Sequence, residues 1–231
     1  MSSIHTKLRR AMVPALMLLI GAMAAAGFAK TNNGEQALQN ATQIAEAEQL
    51  LANLGYMVDN ADGKLDFNSR HAIMAFQKVE GLKRTGILTA SLLDKMREAT
   101  VPAAKYDGPA HVEVDISRQV LFMVSDEGKV TLVVPISSGS GEKYWDKARN
   151  RFEVASTPRG TFTFNRKVNG HRKAPLGTLY FPSYFKEGWA VHGSNSIPPR
   201  PASHGCIRVP RGADKKLFGM MPIGMKIYIY D

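Results

Sequence analysis

The hydrophobic period of this chain changes once along its length, near residue 100, and that switch restricts the folds open to it. Before it, apolar residues recur at helical spacing. Ile44, Ala47, Leu51 and Leu54 mark a first helix, with Gly55 placed to end it. Ala72, Ile73, Phe76 and Val79 mark a second, for which Asn68 or Ser69 is the expected N-cap. Leu92, Leu93 and Met96 mark a third, capped by Thr89. After the switch the period is two: in "HVEVDIS", Val112, Val114 and Ile116 alternate with His111, Glu113 and Asp115, as in a half-buried strand. Further strands are expected in "RQVLFMVS", "KVTLVVPISS", "GTFTFNR", "GWAVH" and "MKIYIY", and one short helix in "ADKKLFGM". The reading is an α+β chain: a small three-helix domain over 42–99, a linker over 100–109 rich in proline, glycine and small residues, and a mainly antiparallel, sandwich or barrel-like domain over 110–231. The last segment is long enough for one hydrophobic core.

The chain opens with Lys7, Arg9 and Arg10, an apolar run from Ala11, and small residues ending at Gly27 and Ala29. This is the order of a cleavable signal peptide over residues 1–29. The run is short for a spanning helix and carries Pro14, so no membrane span is expected after cleavage. Charge is unevenly shared beyond that point. Residues 30–108 hold 9 basic and 10 acidic residues, whereas 109–231 hold 18 basic and 10 acidic ones. An excess of +8 in the second half suits an anionic partner such as a wall polymer, a membrane surface or a carboxylate-bearing substrate. No nucleic-acid-binding motif is present.

An exported protein meets an oxidising milieu in which cysteines pair, yet this chain has one cysteine, Cys206. A working thiol needs a base to take its proton and positive charge to favour the anion. His204 precedes Cys206 by two residues, Arg208 follows by two, and His192 ends an expected strand fourteen residues upstream. Between them, "GSNSIPPRPAS" carries three prolines, a stiff connection suited to walling a cleft. Gly205 allows close backbone approach, its amide and that of Cys206 are candidate oxyanion donors, and Ser203 is placed to hold the turn. On the residues alone three other readings stay open: zinc ligation by His192, His204 and Cys206, a buried inert cysteine, and a lost activity with the chain kept as a binding module.

"VHGSNSIPPRPASHGCIRV" resembles the signature of L,D-transpeptidases of the YkuD type: HG, a variable loop, then SHGC, an apolar residue and Arg or Asn. "TPRGTF", "LGTLYF" and "IGMKIYIY" fit the same family, over about residues 110–231. The resemblance implies Cys206 as nucleophile, His192 as general base and His204 as an aid to substrate binding or oxyanion stabilisation. It also implies that the carbonyl of Gly193 orients His192 and that Arg208 meets a substrate carboxylate or supports the loop. Upstream, "LGY", "DGKLDFNSRHAIMAFQKVEGL" and "TGILTASLLDKM" resemble the peptidoglycan-binding type 1 domain, with Asp66 where glycine is usual and Ser69 where threonine is usual. The expectation is a periplasmic or envelope enzyme, monomeric, with no metal or organic cofactor and with peptidoglycan stem peptides and glycan as partners. It would form 3-3 cross-links, or attach a wall protein, through a cysteine thioester. An L,D-carboxypeptidase or endopeptidase on the same site, or a non-catalytic wall-binding protein, are the alternatives.

Overall fold

The computed structural model describes residues 35–147 and 149–231; the expected signal peptide lies outside the described residues. Three helices come first: α1 (Ala41–Asn53), α2 (Phe67–Val79) and α3 (Ala90–Glu98). Asn40 caps α1 by accepting the amides of Thr42 and Gln43, and Thr89 caps α3 as expected. Helix α2 starts earlier than its expected cap. The Asp66 carboxylate accepts the Ser69 amide at 2.8 Å, which satisfies an orphan donor and draws Asn68 and Ser69 into the first turn. The Ser69 hydroxyl donates instead to Glu48 on α1. Glu48 also accepts the Gly63 amide at 2.9 Å, so one buried carboxylate ties α1 to the Asp62-Gly63 turn and to α2.

The strands follow: β1 (His111–Asp115), β2 (Val120–Val124), β3 (Val130–Pro135), β4 (Lys143–Asp146), β5 (Arg151–Val154), β6 (Gly160–Thr163), β7 (Arg166–Lys167), β8 (His171–Ala174), β9 (Gly177–Lys186), β10 (Trp189–Ser194) and β11 (Ile207–Pro210). Helix α4 (Arg211–Met220) and β12 (Lys226–Tyr230) complete the chain. One sheet has the order β3-β2-β1-β12-β6 and the other β11-β10-β9-β7, with β8 also on β9; β4 and β5 form a separate hairpin. Pairing is antiparallel except for β1 with β12 and β10 with β11. The fold is α+β with a sheet-rich second half. The sheets do not close into a barrel. No helix among the described residues is long and apolar enough to cross a membrane.

The first sheet is the middle of three layers. Leu121, Met123, Leu132 and Val134 face the second sheet and pack with Val191, Ile207 and Val209. Val120, Phe122, Val124 and Val133 face the other way, into one core with Leu51, Phe76 and Leu93 of the helices. The unbroken apolar run "VLFMV" therefore buries both faces. The half-buried reading of β1 is corrected for a related reason: His111, Glu113 and Asp115 are buried too. Segment 100–109 lies over that face. Glu113 accepts the amides of Lys105 and Tyr106 at 2.8–2.9 Å and the Tyr230 hydroxyl at 3.2 Å. Tyr106 stacks on Tyr228, with 4.4 Å between ring centroids.

Candidate active site

The parallel pair β10–β11 sets His192 opposite Arg208, and Val191 opposite Ile207. Because side chains alternate along a strand, Val191, Ile207 and Val209 enter the core while His192 and Arg208 face away from it. Cys206 stands one residue ahead of β11. His192, Arg208, Cys206 and His204 line one cleft of about 530 Å³, together with Tyr144 and Trp189. The sequence-expected residues are thus brought to one place.

His192 is buried, and its Nδ1 lies 2.8 Å from the carbonyl of Gly193. A carbonyl only accepts, so Nδ1 carries the proton and the neutral ring keeps a lone pair on Nε2. Burial drives the pKa of His192 down to about 4, against the Gly193 hydrogen bond, and the positive Arg208 adds to the fall. Residue 193 has to be glycine: a Cβ there would stand 2.1 Å from the Asp214 carboxylate on α4. Burial pushes the Cys206 thiol up, opposed by a hydrogen bond from the Ala190 amide and by Arg208. The thiol donates to the Gly188 carbonyl at 3.6 Å rather than to His192. The resting pair is a neutral thiol beside a neutral imidazole.

The turn before Cys206 is fixed by hydrogen bonds. Ser203 Oγ accepts the Gly205 amide at 2.9 Å and donates to the Cys206 carbonyl at 2.6 Å. Thr157 Oγ1 donates to the Gly205 carbonyl at 2.6 Å and accepts the Gly139 amide. Gly205 has φ +132°, and a Cβ there would lie 2.7 Å from the Trp189 indole nitrogen. Its amide is already committed to Ser203, which removes it from the pair of expected oxyanion donors and leaves the amide of Cys206. His204 is exposed and meets the Tyr144 ring edge-on at 4.7 Å. Among the described residues no cluster of three or more His, Cys, Asp or Glu is arranged to hold a metal.

Three residues of the cleft and one that braces the turn beneath it were not singled out in the sequence. Thr157 sits in "TPRGTF", and nothing in that stretch names the Gly205 carbonyl as its partner. Arg166 and Arg172 lie in the cationic run "NRKVNGHRK", and Tyr184 on β9 stands between them. Only the charge excess of the second half hinted at these arginines.

Residues 109–229 match the YkuD family, described as an L,D-transpeptidase catalytic domain. Residues 40–96 match a peptidoglycan binding domain. Among solved structures, an L,D-transpeptidase from Xylanimonas cellulosilytica is 34% identical with a TM-score of 0.79, over 90% of this chain and 100% of that one. An L,D-transpeptidase from Stackebrandtia nassauensis is 23% identical with a TM-score of 0.49, over 81% of this chain and 90% of that one. No curated protein matches.

Proposed function

Because this chain belongs to the YkuD family of L,D-transpeptidases, we propose that it is an exported enzyme that forms 3-3 cross-links in peptidoglycan through a thioester on Cys206. The observation that carries the reading is the neutral His192, held through Nδ1 by the Gly193 carbonyl in the same cleft as Cys206. The donor is a tetrapeptide stem ending in D-alanine. As the thiol turns from the Gly188 carbonyl, its proton passes to Nε2 of His192 and sulfur attacks the carbonyl that joins the third residue to D-alanine. The Cys206 amide meets the developing oxyanion. The C–N bond breaks, His192 returns the proton to the departing amine, and a thioester remains. A side-chain amine of a second stem then attacks the thioester, gives its proton to His192, and expels the sulfur, which is reprotonated. Every proton lost is recovered in one cycle. His204 and Tyr144 line the same cleft and are available to the bound stems, and residues 40–96 engage the wall.

The test is mass spectrometry of the mature protein incubated with a disaccharide-tetrapeptide. A transient acyl adduct on Cys206, loss of D-alanine and a cross-linked dimer are expected. Loss of D-alanine without a dimer would make the protein a carboxypeptidase, and an unchanged fragment would leave only a binding role.

A further inference from the structure

The cleft has a second wall, formed by β7, β8 and β9, whose charge the acyl-transfer chemistry does not use. Arg166 on β7 is the direct cross-strand partner of Tyr184 on β9, and its guanidinium lies over that ring, 3.6 Å from the centroid. Arg172 on β8 approaches the same residue from the adjoining strand, with its Nη1 3.4 Å from the Tyr184 hydroxyl. Tyr184 is buried and so forms a fixed platform. One ring thus gathers two cations that repel each other.

The protein's own carboxylates do not relieve this. Arg149, also in the cleft, pairs with Asp146 at 3.2 Å and with Glu153 at 4.0 Å. Neither Arg166 nor Arg172 has a carboxylate within 4.0 Å among the described residues. Stacking also leaves chemistry unspent. A guanidinium laid flat on a ring uses its face and keeps its N–H edge, the fork that matches a carboxylate, directed outward. Arg166 keeps that fork, and Arg172, which gives one N–H to the Tyr184 hydroxyl, keeps its remaining donors; both line the cleft that holds the thiol and suit a ligand carrying negative charge.

We propose that Arg166 and Arg172, braced on Tyr184, form a carboxylate-recognition site that selects donor stems bearing free side-chain carboxylates over amidated ones. The inference rests on the acyl-transfer reading for the identity of the donor, but not for its test. The experiment measures binding by calorimetry to the Cys206→Ala protein, which does not turn over. Its two ligands are a disaccharide-tetrapeptide with its internal carboxylates free and the same molecule with them amidated. The free acid should bind roughly tenfold more tightly or better, the scale of one charge-assisted pair. Adding Arg166→Gln and Arg172→Gln should bring both ligands to one common affinity, while Arg→Lys at both positions should restore part of the preference. Both arginines are exposed, so thermal melting should stay at the Cys206→Ala value and exclude unfolding as the cause. Equal binding of the two ligands, a preference that survives the double replacement, or no binding of either would overturn the proposal. A preserved preference in a protein whose native form forms no thioester would sink the acyl-transfer reading alone.

Discussion

At Cys206 and His192 the environment opposes charge on either group. A thiolate–imidazolium pair would store its nucleophile ready-made; here burial favours the protonated thiol and the neutral ring. The pH dependence follows from those directions. His192 must be neutral to act as base, and with its pKa near 4 the acid limb of kcat/KM should fall at about that pH, not near the ordinary histidine value of ~6.5. Alkylation of the free protein by iodoacetamide should be slow at neutrality and climb only above the usual cysteine range of ~8.5. His192→Ala should cut turnover by about 10²–10⁴-fold and leave alkaline alkylation nearly unchanged. An acid limb near 6.5, or a labelling plateau below neutrality, would mean that the pair rests ionised. Gly205→Ala belongs to the same scale. It forces an L side chain to φ +132° against the Trp189 indole and the Ser156 carbonyl. A loss of about 1–3 kcal/mol in urea melts, with a fall in activity, is expected.

Among the elements, the helices and the first sheet share a core that periodicity did not reveal. A protein truncated to begin at Gly108 would bare Val120, Phe122, Val124 and Val133. At about 1.5–3 kcal/mol for each buried side chain, that loss rivals the whole net stability of a domain, about 5–15 kcal/mol. The truncated protein should bind ANS and lack near-UV circular dichroism; a sharply melting, active fragment would refute the shared core. The sequence was legible wherever a local rule decided the outcome. Thr89 caps α3, β10 and β12 fall on "GWAVH" and "MKIYIY", and α4 covers "ADKKLFGM". It was silent where partners are distant. Alternation in "VLFMV" cannot name what lies above and below it. Strand β9 escaped because Phe181 turns to φ +47° ahead of Pro182, which breaks the period that would have marked it. The hairpin β4–β5 escaped because its exposed residues follow no apolar pattern. In the cleft, "SHGC" and "HG" pointed to the thiol and the two histidines. Arg166, Arg172 and Tyr184 meet only through strand register.

Across the whole molecule, a lysine on the helical side is bonded to the backbone that carries the site. Lys78 is 1% exposed and donates to the carbonyls of Gln119 at 3.1 Å and Ile136 at 2.9 Å. The next residues along, Ser137 and Ser138, hold the backbone of Arg208 and the amides of Ala202 and Ser203. Arg84 adds a direct bond to the Pro199 carbonyl in the same loop. Burial, with the positive Arg84 assisting, lowers the pKa of Lys78 to about 7. The sign of the linkage is fixed by that direction. Between pH ~7 and the ordinary lysine value of ~10.4 the unfolded chain binds a proton that the folded one does not, so stability rises with pH across this window, and as pH falls it is lost progressively from ~10.4 and levels off below about 7. The full window is worth roughly 3–5 kcal/mol, and about half should appear between pH 7 and 9. His192 acts the same way at lower pH, with stability lost between ~6.5 and about 4. Urea melts from pH 5 to 9 should therefore show the protein firmest at the alkaline end. Lys78→Met separates the two groups. It leaves the Ile136 carbonyl without this donor and so lowers stability at pH 9, yet it should flatten the rise between 7 and 9 while the acid loss remains. If the rise persists in Lys78→Met, the buried lysine is not its source.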